Sequence, residues 1–210
     1  MQWSSRSAPA IHPWWPSSSR QCRSSACEFA GTLPPVLAAN AYLAAEAGLY
    51  DESLRLAAAT LPGIDRAVAW ARNYTFIDFW VAAAYWRLGH AEHAPLLERN
   101  LRDKGLVSDF RHANTDTRLA LAWMCALQGR CDEAADWFTQ ARAVLDEQGA
   151  RPLRAISDFE EARMHVRRGV AGDRARALEL LEAALPRFRE VGMPGWERRA
   201  EVLRAELRPQ

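Results

Sequence analysis

The stretch Ala82-Ala83-Ala84-Tyr85-Trp86-Arg87-Leu88-Gly89-His90-Ala91-Glu92-His93-Ala94 carries the pattern that decides the fold. An alanine stands seven residues before a glycine, and a second small residue follows five residues after it. The same spacing recurs at Ala41, Gly48 and Ser53, and again at Ala122, Gly129 and Ala134. A fourth unit reads Ala162, Gly169 and Ala177, its last member three residues late because Val170-Ala171-Gly172 lengthens the turn. The four glycines lie 41, 40 and 40 residues apart, and glycine supplies only 11 of the 210 residues. Alanine is common here, so the glycines in register carry the case for an internal repeat.

Physical chemistry gives each position a task. The alanine sits mid-helix where two helices cross, and its small side chain permits close approach. The glycine ends the first helix of a hairpin, where a left-handed cap suits a residue without Cβ. An acidic residue then opens the second helix at its positive dipole end: Asp51, Glu92, Asp132 and Asp173. A second glycine series, Gly63, Gly105, Gly149 and Gly192, ends the second helices, with Pro152 and Pro194 just beyond two of them. Helices are expected over roughly 35–48, 51–61, 64–72, 75–88, 91–104, 113–128, 132–148, 153–168, 173–191 and 195–207. Apolar spacing agrees, as in Ala134, Trp137, Phe138, Ala141, Val144 and Leu145. No segment reads as a β-strand.

These residues resemble the tetratricopeptide repeat. The Ala-x6-Gly-x4-small spacing and the aromatic first helix, Tyr85-Trp86-Arg87-Leu88-Gly89, match its pattern over 32–208. The unit here is longer than the standard repeat of ~34 residues. In that respect the chain is similar to divergent repeats at the C-termini of large bacterial regulators with ATPase or cyclase modules. The resemblance implies an all-α, right-handed α-α superhelix of about four hairpins, capped by a final helix at 195–207. It implies a concave groove lined by the first helices. By register, Tyr42, Phe76, Phe79, Trp80, Trp86, Trp123, Phe159 and Arg163 fall on or beside that groove.

Residues 1–31 lack any period and hold Trp3, Trp14, Trp15 and three prolines; they are expected to be disordered or weakly ordered. The repeat domain is expected over 32–210. Its first unit, with Ala38, Ala39, Ala44 and Ala45, is thin and suits a preceding repeat or module. The chain therefore reads as a fragment or C-terminal part of a larger regulator.

Composition removes several classes of function. Hydrophobic residues make up 49% and charged residues 25%, as in a globular protein. A net charge of +1 gives no case for direct nucleic-acid binding. Lys104 is the only lysine, so no phosphate-binding Gly-Lys-Ser/Thr loop exists. Four cysteines are too few for a disulfide framework in 210 residues, and no apolar run reaches the ~20 residues of a membrane span. A cytoplasmic protein without metal or cofactor is the expectation.

Three constellations invite chemistry. His90 and His93 have the spacing of a shared metal face, but no third ligand is near in sequence and surface histidines are the simpler reading. Cys125 and Cys131 fall on inward positions and read as buried structural thiols. Glu160, Glu161 and His165 can be drawn as an acid–base group, although helical salt-bridge spacing accounts for them. The expected function is protein or peptide recognition in signalling, with a small-ligand sensor as the alternative and an enzyme as the remoter one. Partners are a protein or peptide and an attached ATPase, cyclase or DNA-binding module.

Overall fold

The computed structural model describes residues 33–66, 75–105 and 115–208. Among them the regular elements are all helical: α1 (Leu33–Glu46), α2 (Tyr50–Arg66), α3 (Thr75–Leu88), α4 (Ala94–Asn100), α5 (Thr117–Leu127), α6 (Cys131–Glu147), α7 (Arg151–Arg168), α8 (Asp173–Glu190) and α9 (Pro194–Leu207). A π-type turn, Leu101–Gly105, continues α4. The fold is all-α, as the spacing requires.

The register glycines act where the sequence places them. Gly48, Gly89, Gly129 and Gly169 adopt φ of 75°, 69°, 78° and 65°, the left-handed region in which a Cβ is strained. Each follows a first helix. Ala41, Ala82, Ala122 and Ala162 are fully buried, as are Ser53, Ala94, Ala134 and Ala177. In the first unit the pair touches directly: the Ser53 hydroxyl donates to the Ala41 carbonyl at 2.7 Å. The hydroxyl thus replaces the methyl packing of the later units with a hydrogen bond.

Helices pack on their chain neighbours, α5 on α6, α6 on α7, α7 on α8 and α8 on α9, and α3 also packs on α5. α5 is buried on every side from Leu119 to Cys125, and α3 from Val81 to Trp86. A helix apolar all round belongs in the interior. Burying a residue such as Phe138 or Phe188 contributes about 1.5–3 kcal/mol each. Asp116 starts α5 by accepting from the Arg118 and Leu119 amides at 2.9 and 3.1 Å.

Several boundaries differ from expectation; the helix expected from 113, for one, starts at Thr117. α2 does not end before Gly63; it runs through Pro62 and Gly63 to Arg66. The expected helix at 64–72 therefore begins inside α2, and its remainder lies outside the described residues. α4 starts at Ala94, with Pro95 in its first turn, so Glu92 stands in the preceding turn instead of opening the helix. Pro152 and Pro194 likewise lie in the first turns of α7 and α9, where the missing N–H costs nothing. The expectation for residues 1–31 falls outside the described residues. No helix among the described residues is long and apolar enough to cross a membrane.

Candidate functional site

The repeat register brings one set of side chains together. Directly after each buried alanine come Tyr42, Ala83, Trp123 and Arg163. Four residues further, on the same helical face, come Glu46, Arg87, Leu127 and Arg167. Tyr42, Ala83, Arg87 and Trp123 line one cleft, closed by Phe79, Trp80 and Trp86 from α3, Leu153, Ile156 and Glu160 from α7, and Trp196 from α9. Side chains of α1, α3, α5, α7 and α9 thus share this space, a cleft of about 60 Å³. A wider depression lies between α7 and α9, lined by Phe159, Arg163, Arg198, Arg199 and Leu203 among others.

The walls are aromatic. Tyr42 and Trp80 meet at 5.0 Å between ring centroids, Phe79 stands edge-on to Trp80 at 5.4 Å, and Phe79 meets Trp123 at 5.2 Å. Phe159 stands edge-on to Trp196 at 5.6 Å, which ties the cleft to the wider depression. Five of the expected groove residues, Tyr42, Phe79, Trp80, Trp86 and Trp123, line the cleft. Phe159 and Arg163 border the depression. Phe76 belongs to α3, but its side chain is outside the described residues.

Trp123 is only 4% exposed, yet its indole N–H has no hydrogen-bond partner among the described residues. A buried donor without an acceptor costs about 1–3 kcal/mol. By contrast, the Trp86 N–H donates to Glu160 at 2.5 Å. Glu160 is itself fully buried and holds Arg163 at 2.9 Å and Arg87 at 3.0 Å. Burial alone would raise its pKa; Arg87 and Arg163 outweigh that and keep it below the usual carboxylate range. Arg87 also meets Glu46 at 2.5 Å, and Glu46 pairs with Arg199 on α9. Burial pushes the Tyr42 hydroxyl up to about 12, so it remains neutral in physiological conditions.

Two indoles carry stacked guanidinium groups. Arg167 lies 4.1 Å and Arg163 5.6 Å from the Trp86 ring centre. Arg87 and Arg199 lie 4.9 and 5.1 Å from the Trp196 ring centre. Such contacts hold a cation over the negative face of the ring.

The other constellations resolve into packing and ion pairs. His90 and His93 do not stand free in solvent. His90 stacks on Tyr85 at 5.3 Å and His93 lies 5.7 Å from the same ring, because Tyr85 fills the hairpin turn. Glu161 and His165 sit in a buried network: Arg142 pairs with Glu161, and His165 Nδ1 meets Asp173 at 2.8 Å while its Nε2 is 3.7 Å from Glu161. Glu161 and then Asp173 hold the proton on His165 against the opposing effect of burial. Cys125 is buried, whereas Cys131 is only half-buried. Glu98, Cys125 and Glu133 converge closely enough to suggest a ligand set. Both carboxylates are already paired with Arg102 and Arg130, and burial pushes the Cys125 thiol up to about 12.

Sequence reasoning missed Arg87, Glu46, Arg167 and Trp196. The first three share the position five residues after the register alanine, so extending the register by one helical turn would have found them. Glu160 was drawn into an acid–base group, but it stands two residues before Ala162, as Trp80 does before Ala82, and both line the cleft. Trp196 carries no register signal. A scan against protein-family models finds no match, and neither a search of curated proteins nor one of solved structures finds one.

Proposed function

We propose that the chain is a recognition scaffold of the tetratricopeptide type, a right-handed α-α superhelix whose inner face binds a peptide segment of a partner protein. The observation that carries this reading is an aromatic cleft whose walls come from alternate helices. Trp, Tyr and Arg, the types that line the cleft, are those that dominate binding hot spots. The scaffold would serve a parent signalling regulator with an ATPase, cyclase or DNA-binding module. The repeat resemblance supports that link, as do the exposed apolar side chains Val36, Leu43, Leu49 and Tyr50, which a preceding module would cover.

The narrowness of the cleft favours a second reading, a sensor for a small planar ligand, since small-molecule sites are concave, mostly apolar and carry few polar groups. Random-peptide display on the full chain separates the two. Peptide recognition predicts recovered binders whose affinity falls roughly tenfold in Ala83→Phe, which fills the cleft, and in Trp80→Ala, which removes a wall. Failure to recover any binder, or binders indifferent to both substitutions, overturns the peptide reading.

A further inference from the structure

The charge around the cleft is unbalanced. Arg87, Arg163, Arg167 and Arg199 surround Trp86 and Trp196, and among the described residues only Glu46 and Glu160 oppose them at ion-pair distance. The neighbouring depression adds Arg198 and Glu206, so the excess of two positive charges persists. Arg167 is the telling residue. Among the described residues it has no carboxylate at ion-pair distance, and its guanidinium rests on the Trp86 ring at 4.1 Å. Arg163 lies one turn before it, a like-charge i,i+4 pair that destabilises a helix. Burial of its inner face, with the Arg163 charge next, pushes Arg167 down to about 10, although the residue keeps an exposed outer edge. The guanidinium is still charged at neutral pH. Elsewhere on the same helix Arg154 and Arg168 each have a carboxylate partner, so Arg167 stands out against its own surroundings.

The Trp86 ring connects this cation to the cleft, because Trp86 lines the cleft while bearing Arg163 and Arg167. Arg163 borders the neighbouring depression and Arg167 follows it by one helical turn, so a ligand that spans cleft and depression comes close to a guanidinium without a carboxylate partner among the described residues. Arginine forks suit carboxylates, which accept two parallel hydrogen bonds.

We propose that the cleft selects acidic peptide segments, in which an apolar or aromatic side chain enters between Tyr42, Trp80 and Trp196 and a flanking Asp, Glu or terminal carboxylate meets Arg163 and Arg167. This rests on the peptide-recognition reading and adds the class of sequence recognised. The Arg163–Arg167 repulsion is relieved by the incoming anion.

The test uses peptides recovered by random display on the full chain. Enrichment of Asp and Glu beside an aromatic or aliphatic residue is the expected result. Three follow-up measurements by fluorescence anisotropy accompany it. Replacing the acids of a recovered peptide by Gln or Asn weakens binding roughly tenfold. Arg167→Glu weakens the acidic peptide by a similar factor and leaves its amide counterpart nearly unchanged, which separates loss of the charge from loss of the fold. Raising the salt concentration weakens the acidic peptide and leaves its amide counterpart nearly unchanged. Recovered peptides that are neutral or basic, or an acidic peptide indifferent to Arg167→Glu, overturn the acidic class and leave peptide recognition standing. Recovery of no peptide overturns both.

Discussion

Substituting Ala122 by Trp tests the register on which the site depends. Ala122 is fully buried in the middle of α5, and every residue from Leu119 to Cys125 is buried with it. An indole there has no solvent direction to turn into, so neighbouring helices must move apart. Overpacking costs about 1–3 kcal/mol, and a helix enclosed on all sides belongs at the upper end. For a chain of this size each kcal/mol lowers the melting point by roughly 2–4 °C. A cost of about 3 kcal/mol therefore lowers it by roughly 6–12 °C. Arg118, one turn earlier, has a half-buried side chain that reaches Asp116 at 3.7 Å. Trp in its place can lie along the surface, and the change stays near about 0.5 kcal/mol. Melting followed by circular dichroism compares the two, with Ala82→Trp and Ala162→Trp as equivalents. If Ala122→Trp melts with the wild type while Arg118→Trp collapses, the reasoning is refuted and the groove residues deduced from it fall as well.

Two further outcomes follow from the buried charges. Glu160→Ala strips Arg87, Arg163 and the Trp86 N–H of their shared acceptor, and removing one partner of a buried ion pair costs about 3–5 kcal/mol, whereas Glu160→Gln costs less; urea unfolding measures both, and equal stability of Glu160→Ala and wild type contradicts the network. His165 has its pKa raised in the fold, so its contribution is fully present below the unfolded imidazole value of about 6.5 and is lost as pH rises through the higher folded value. Melting points measured across that interval fall for the wild type and flatten for His165→Gln; an unchanged slope in the variant rejects the assignment.

The parts of the fold governed by backbone chemistry were readable in the sequence. Gly48, Gly89, Gly129 and Gly169 announce left-handed caps because few other residues tolerate that φ, and buried alanines at fixed distance announce helix crossings. Gly63 misled because glycine inside a helix costs only about 1 kcal/mol, an amount that packing overrides. Glu92 misled because Pro95 shifts the start of α4 to Ala94. That Tyr42, Phe79, Trp80, Trp86 and Trp123 come to share one space was readable from register alone. The ion pairs were not: Arg87 meets Glu160 across 73 positions of sequence and Arg199 meets Glu46 across 153, distances at which no local pattern speaks. Trp196 reaches the cleft only because α9, packed on α8, sets its ring against Phe159 of α7, a matter of tertiary packing.

The Trp123 indole N–H gives the most direct test of the central claim, that the cleft is the binding face. The Trp123 ring is a wall of the cleft, so its indole proton resonance responds to a side chain packed beside it. The measurement is a nitrogen–proton spectrum of the full chain labelled at its tryptophans, with the Trp123 peak assigned from Trp123→Phe, during titration with a displayed peptide. The account predicts that the Trp123 peak moves on titration and that the shift saturates together with binding. A peptide that saturates the protein while the Trp123 peak stays in place would contradict it.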